Sequence, residues 1–363
     1  MKPRNQERIV TGYMGRAADK LSLSVAACFF IAAFLTGCGS GTAHIKEADS
    51  LIENGSYAES LESLEAAEKA GENIRLIHRS RGIAEMGLSD YGAAVDDFTA
   101  TLSENKGYVQ RMDIDISYYL AVSQYRLGDV KGANDTYSAI IALFPKESDA
   151  YYLRGRTFIA MQDVDNAKSD FDKAVKLSPD DPDLYIQIYE ALSDAGLSSD
   201  GERYLKSAME LNKKLSSFQK GRLYFCMGDY DRAKENLENA VKNEKEPQAT
   251  LYLGRTYEAM GDMNYAASLY RSYLENDPSN AQVTNQLGLC LMALSDYSAA
   301  LEAFNRGIEL EDPAMDQSLR FNQIAAYEYL GDYDRAKTLM QDYLEDYPAD
   351  EGAVRENGFL ETR

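Results

Sequence analysis

Gly228-Asp229-Tyr230-Asp231-Arg232-Ala233-Lys234, GDYDRAK, is written a second time, letter for letter, at Gly331 to Lys337. The two copies stand 103 positions apart, close to three times 34, which points to a repeat with two degenerate copies in between. The same signs recur at that step. Gly128-Asp129-Val130 leads to Ala133, Tyr137 and Pro145; Asp163-Val164 to Ala167, Phe171 and Pro179; Gly261-Asp262-Met263 to Ala266, Tyr270 and Pro278; Asp296-Tyr297 to Ala300, Phe304 and Pro313. Fainter copies run through Gly55, Tyr57, Leu64 and Ala67, and through Asp90, Tyr91, Ala94 and Phe98. Upstream of the joints lie helical stretches with a small residue, as in Arg154-Gly155, Lys220-Gly221, Leu253-Gly254 and Leu287-Gly288.

Each sign has a mechanical reading. Glycine suits the left-handed position that ends one helix, and aspartate caps the start of the next, so GDY joins two antiparallel helices tightly. Glycine in the first helix and alanine in the second allow close approach, large side chains at helical spacing fill the space between, and proline ends the second helix.

This arrangement resembles the tetratricopeptide repeat (TPR) family, whose pattern is W-x2-L-G-x2-Y, then A-x3-F, then P. The resemblance covers about residues 44–348 and gives nine units, beginning near Gly41, Arg75, Ile114, Ser148, Pro182, Lys214, Pro247, Ala281 and Gln317. It implies an all-α fold, an α-α superhelix of helix-turn-helix repeats. The departures are the absence of the family's tryptophan, Gly201 in unit five where alanine is expected, and a first unit without the usual Gly and Ala. The segment NKGYVQRMD between units two and three predicts an inserted loop or a lengthened helix. Residues 349–363 are expected to fold over the last pair as a partial cap, or to leave that end to a partner.

The leader reads differently. Lys2, Arg4, Arg8, Arg16 and Lys20 precede the apolar run LSLSVAACFFIAAFL, Leu21 to Leu35, which suits a secretory signal; Met1 and Met14 are both possible starts. Leu35-Thr36-Gly37-Cys38 resembles the lipobox of bacterial lipoproteins. That resemblance implies a signal peptide over 1–37, a lipidated Cys38, a short linker to 43, a diacyl membrane anchor and a place in the bacterial cell envelope on the extracytoplasmic side.

Composition narrows the partners. The chain has 38 basic and 59 acidic side chains, and residues 1–37 hold five and two of them, so from Cys38 onward the balance is 33 against 57, a net −24. Such charge opposes counterion-driven binding, so no nucleic acid is expected. The sequence also offers no C-x-x-C, H-E-x-x-H, phosphate-binding glycine loop or G-x-S-x-G, so no catalytic residue, metal or cofactor is expected, and the protein is read as no enzyme. His44 and His78 share a repeat position and read as surface imidazoles rather than a shared ligand pair; Cys226 and Cys290, two units apart, should be free and buried.

What remains is surface. The TPR resemblance implies that first helices line the inside of the superhelix, presenting Tyr118, Val122, Tyr125 and Arg126 in unit three, Tyr152 and Arg156 in unit four, Phe218, Arg222 and Phe225 in unit six, and Leu251 and Arg255 in unit seven. Arg156, Arg222 and Arg255 share one repeat position. They either hold a protein or peptide by an acidic or C-terminal carboxylate or balance neighbouring acidic helices. The expected function is a membrane-anchored scaffold; the other readings are a structural subunit of an envelope assembly and a glycan- or solute-binding lipoprotein.

Overall fold

The computed structural model describes residues 42–104, 111–211, 215–244, 247–312, 315–348 and 350–363; the leader and Cys38 lie outside the described residues. Those residues form nineteen helices and no strand. Nine successive pairs run α1 (Ala43–Glu53) with α2 (Tyr57–Lys69), α3 (Ile74–Gly87) with α4 (Tyr91–Ser103), α5 (Arg111–Leu127) with α6 (Val130–Leu143), α7 (Ser148–Ala160) with α8 (Val164–Leu177), α9 (Pro182–Asp194) with α10 (Ser198–Glu210), α11 (Ser217–Cys226) with α12 (Tyr230–Asn239), α13 (Pro247–Ala259) with α14 (Met263–Asn276), α15 (Ala281–Ala293) with α16 (Tyr297–Ile308), and α17 (Asp316–Leu330) with α18 (Tyr333–Asp346). A single helix, α19 (Glu351–Leu360), follows. Contacts divide the described chain into two compact units, residues 42–184 with 191–196 and residues 185–190 with 197–363.

The heptamer works as its chemistry suggests. Gly331 takes φ 80°, in the left-handed region, and Asp332 accepts the Arg335 backbone N–H at 3.3 Å. Ala336 is fully buried, and the Arg335 guanidinium lies 5.6 Å from the ring of Tyr327, eight residues back. The earlier copy repeats this: Asp229 caps Arg232, Ala233 is buried, and Arg232 lies 4.6 Å from the ring of Tyr224. Aspartate caps the second helix in the same way at Asp90, Asp129, Asp163, Asp262 and Asp296. At three joints the left-handed position is not glycine, and Ser89, Gln162 and Ser295 take φ of 62°, 62° and 63°. Such a conformation costs an L-residue about 1–2 kcal/mol.

In five of the first helices a glycine is the seat of a side chain sixteen residues on. A Cβ would lie 2.7 Å from the ring of Phe98 at Gly82, 2.6 Å from Phe171 at Gly155, 2.4 Å from Tyr270 at Gly254 and 2.3 Å from Phe304 at Gly288. At Gly221 the seated group is Leu237, at 2.5 Å. Gly201, the departure in unit five, is explained likewise: Tyr189 of α9 would stand 2.9 Å from its Cβ.

An ion pair stands beside two of these seats. Arg81, just before Gly82, bonds Asp97, just before Phe98, at 2.6 and 2.8 Å, and Arg154, just before Gly155, bonds Asp170 at 2.7 and 2.8 Å. This corrects the reading of His78 as a surface imidazole: it is largely buried, and its Nδ1 meets Asp97 within the Arg81 pair. His44, at the equivalent position, is half-exposed beside Glu47.

The lengthened spacing after unit two is carried in part by α5, which runs for 17 residues against 13 in α7; residues 105–110 lie outside the described residues. After Asn239 the sixth pair ends in a π turn, Ala240–Glu244, rather than on a proline. The tail folds as α19, which buries Ala353 and Leu360 with Phe321, Ile324, Met340 and Tyr343.

Candidate functional site

Two helices of the carboxy-terminal unit carry the densest group of the expected residues. A capping box fixes the start of α11: Ser216 accepts the Gln219 N–H and the Gln219 side chain accepts the Ser216 N–H, both at 3.1 Å. From that start Phe218, Arg222 and Phe225 recur at i, i+4 and i+7, on one face. Gly221 and Gly254 draw α12 and α14 against α11 and α13 on other faces through Leu237 and Tyr270. The expected face is therefore left to α11 and its neighbour α13.

Tyr252 stands at the centre. The Arg222 guanidinium lies 5.4 Å from the Phe218 ring and 5.2 Å from the Tyr252 ring, and the Arg255 guanidinium 5.0 Å from Phe225 and 5.2 Å from Tyr252. Phe218 and Phe225 each meet Tyr252 edge-on, at 5.8 and 5.9 Å. The result is an alternation of ring and cation: Phe218, Arg222, Tyr252, Arg255, Phe225. Rings hold guanidinium groups by the attraction of the cation to the π face. Among the described residues Arg255 makes no ion pair, whereas Arg81 and Arg154 are each closed on an aspartate.

Burial raises the Tyr252 hydroxyl above its ordinary value, and the two arginines oppose that rise. Cys226 lies in the same surroundings with Glu190, and burial pushes its thiol up to about 12. The thiol is therefore protonated at neutral pH and a poor nucleophile. Both cysteines are free; Cys290 is buried as expected, but Cys226 is only partly buried, because it ends α11 one residue from the exposed turn. Among the described residues no group of three or more His, Cys, Asp or Glu could hold a metal ion, and no helix is long and apolar enough to cross a membrane.

The amino-terminal unit carries the rest separately. Tyr118 and Tyr125 pack into a core with Tyr137, the Tyr118 and Tyr137 rings lying 6.2 Å apart, and burial raises both of those hydroxyls. Tyr152 is only 6% exposed, its ring 6.0 Å from Phe171, so its position is a packing one rather than an open contact. Arg156 acts electrostatically on Tyr137 and has one buried guanidinium nitrogen without a hydrogen-bond partner. Arg126 lies in the last turn of α5, where a cation suits the helix dipole. Leu251 is partly buried, packed against the core cluster that contains Leu253, Tyr257 and Tyr270. Tyr252 was not among the expected residues; its signal in the sequence is its place three residues before Arg255, one helical turn away.

Family models described as tetratricopeptide repeat match residues 45–109, 218–281 and 253–315, residues 148–181, and residues 115–147 and 319–350. The chain is a tetratricopeptide-repeat protein. This TPR chain is similar to the BBSome complex member BBS4 of Bos taurus, 24% identical over 155 residues, which is 42% of this chain and 30% of the relative. It is similar also to the lipoprotein NlpI homolog of Haemophilus influenzae, 35% identical over 114 residues, 31% of this chain and 35% of the relative. The TPR chain thus spans about a third of the length of these curated relatives. Among solved structures, a tetratricopeptide repeat protein from Parabacteroides merdae aligns over 68% of this chain and 97% of its own, with 20% identity and a TM-score of 0.47.

Proposed function

We propose that this TPR protein is an anchored scaffold that holds an extended or helical peptide of a partner protein against α11 and α13 by an acidic or C-terminal carboxylate. The carrying observation is the Arg255 guanidinium, seated between the rings of Phe225 and Tyr252 with no ion-pair partner among the described residues. The planar fork of a guanidinium fits a carboxylate, and tyrosine and arginine are typical interface anchors. The action is binding, with no catalytic step. The leader and the Leu35-Thr36-Gly37-Cys38 motif support a diacyl anchor on Cys38 and an extracytoplasmic place in a bacterial envelope.

Two experiments test this. A pull-down from envelope extract compares the parent with a variant carrying Arg222→Ala and Arg255→Ala at unchanged helicity. A partner captured by the parent and lost by the variant supports the reading, and equal capture by both rejects the arginine face. Metabolic labelling with a clickable fatty acid tests the anchor, and label that persists in Cys38→Ala rejects it.

A further inference from the structure

Tyr137 of α6 combines a buried ring with an unused hydroxyl. The side chain is 2% exposed and its ring lies 6.2 Å from that of Tyr118, yet the hydroxyl makes no hydrogen bond among the described residues. Nor is it enclosed: the hydroxyls of Tyr118 and Tyr152 are sealed from solvent, and that of Tyr137 is not. Polar groups held this deep are nearly always hydrogen-bonded, so a phenol left unbonded by the fold is a donor to be met from outside it.

The charges around it are of one sign. Arg156 of α7, with Tyr125 of α5 and Tyr152 of α7, acts on the Tyr137 hydroxyl, and no carboxylate does; Glu147 and Asp149 act on Tyr118 instead. Arg156 is itself unanswered. Among the described residues it forms no ion pair and no hydrogen bond, and one guanidinium nitrogen is buried, whereas Arg154, two residues earlier, is closed on Asp170. A chain with 59 acidic side chains has counter-charges to spare, and at this spot it places phenols.

We infer that the amino-terminal unit binds a carboxylate at this spot, held by the Arg156 guanidinium and the Tyr137 hydroxyl beside Tyr125. The planar fork of arginine matches a carboxylate, and the phenol adds a further donor. One positive charge matches a monoanion; a phosphate dianion would keep an unpaired charge in partly buried surroundings, which is costly. Tyr125 and Arg156 are partly exposed, which leaves the spot within reach of a ligand. The carboxylate belongs either to a small free acid or to an acidic side chain of a polypeptide. The site shares no residue with α11 and α13 and does not rest on the reading of Arg255.

Titrations of the full chain, followed by the NMR signal of the Arg156 Nε–H, test the inference. Sodium acetate and a capped tripeptide with a central glutamate should shift the signal; sodium chloride at equal ionic strength and the same tripeptide with glutamine should not. Acetate binding as tightly as the glutamate tripeptide assigns the site to small acids, and tighter binding of the tripeptide assigns it to polypeptides. Tyr137→Phe keeps the buried ring and removes only the hydroxyl, so it should weaken binding about fivefold at unchanged helicity. No shift with either carboxylate, an equal shift with chloride, or undiminished affinity in Tyr137→Phe would each overturn the inference.

Discussion

Arg154 grips Asp170 with two nitrogens, Nε at 2.7 Å and Nη2 at 2.8 Å, from one helix of a pair to the other. The aspartate is nearly buried and the hydrogen bonds to it lift the arginine above its ordinary value, so the pair is committed to the fold. Asp170→Ala leaves a largely buried cation without its counter-charge. The expected loss is about 2–3 kcal/mol, short of the full cost for a completely buried pair, read as a lowered urea midpoint. Arg255→Ala should change the midpoint far less, which separates the structural arginine from the one offered to a ligand.

Gln162 and Ser295 end their helices in the left-handed region that their joints otherwise give to glycine. Gln162→Gly and Ser295→Gly should each stabilise the fold by about 0.5–1 kcal/mol, the backbone relief exceeding the added freedom of the unfolded chain. Thermal unfolding of the two single variants and the double variant checks this, and the effects should add because the sites lie in separate compact units.

Two carboxyls make stability depend on pH. Burial pushes Glu85 up to about 8, aided by Asp97 and Asp90 and opposed by Arg81. Burial does the same to Glu328, also up to about 8, with Glu356 of α19 beside it. Between the ordinary 4.5 and about 8 the folded chain keeps protons that the unfolded chain has released, so stability falls as pH rises through that window. Glu85→Gln with Glu328→Gln should flatten the fall in the denaturant midpoint measured from about pH 5 to about pH 8.

Glycine seats should answer to substitution according to whether they are filled. Gly288→Ala forces a methyl against the Phe304 ring and should cost about 1–3 kcal/mol. Gly358→Ala meets open space and should stabilise by up to about 1 kcal/mol through helix propensity. Equal effects at the two positions would show that the seat is not what distinguishes them.

The repeat, its joints and the place of the glycines were legible because a helix pair imposes fixed offsets on the chain, and GDYDRAK carries three of them in seven letters. The clamp of Arg154 on Asp170 was not, although Arg154 was visible beside Gly155: a pairing between two helices depends on which way the side chains lean. His78 looked like His44 for the same reason, since the difference is Asp97 on the opposite helix. Tyr252 is not legible along a single helix, because its importance comes from standing between Arg222 of one helix and Arg255 of the next.

The seats and clamps also bear on how the chain reaches its fold. Gly155 and Phe171, Gly288 and Phe304, Arg81 and Asp97 are all separated by sixteen residues, within a single helix pair of a 363-residue chain. Contacts so local close small loops at little entropic cost and give the low contact order of fast-folding helical proteins. A pair can then form while its neighbours are still unformed, and a chain emerging from the ribosome can order from its leading end as soon as each pair is clear.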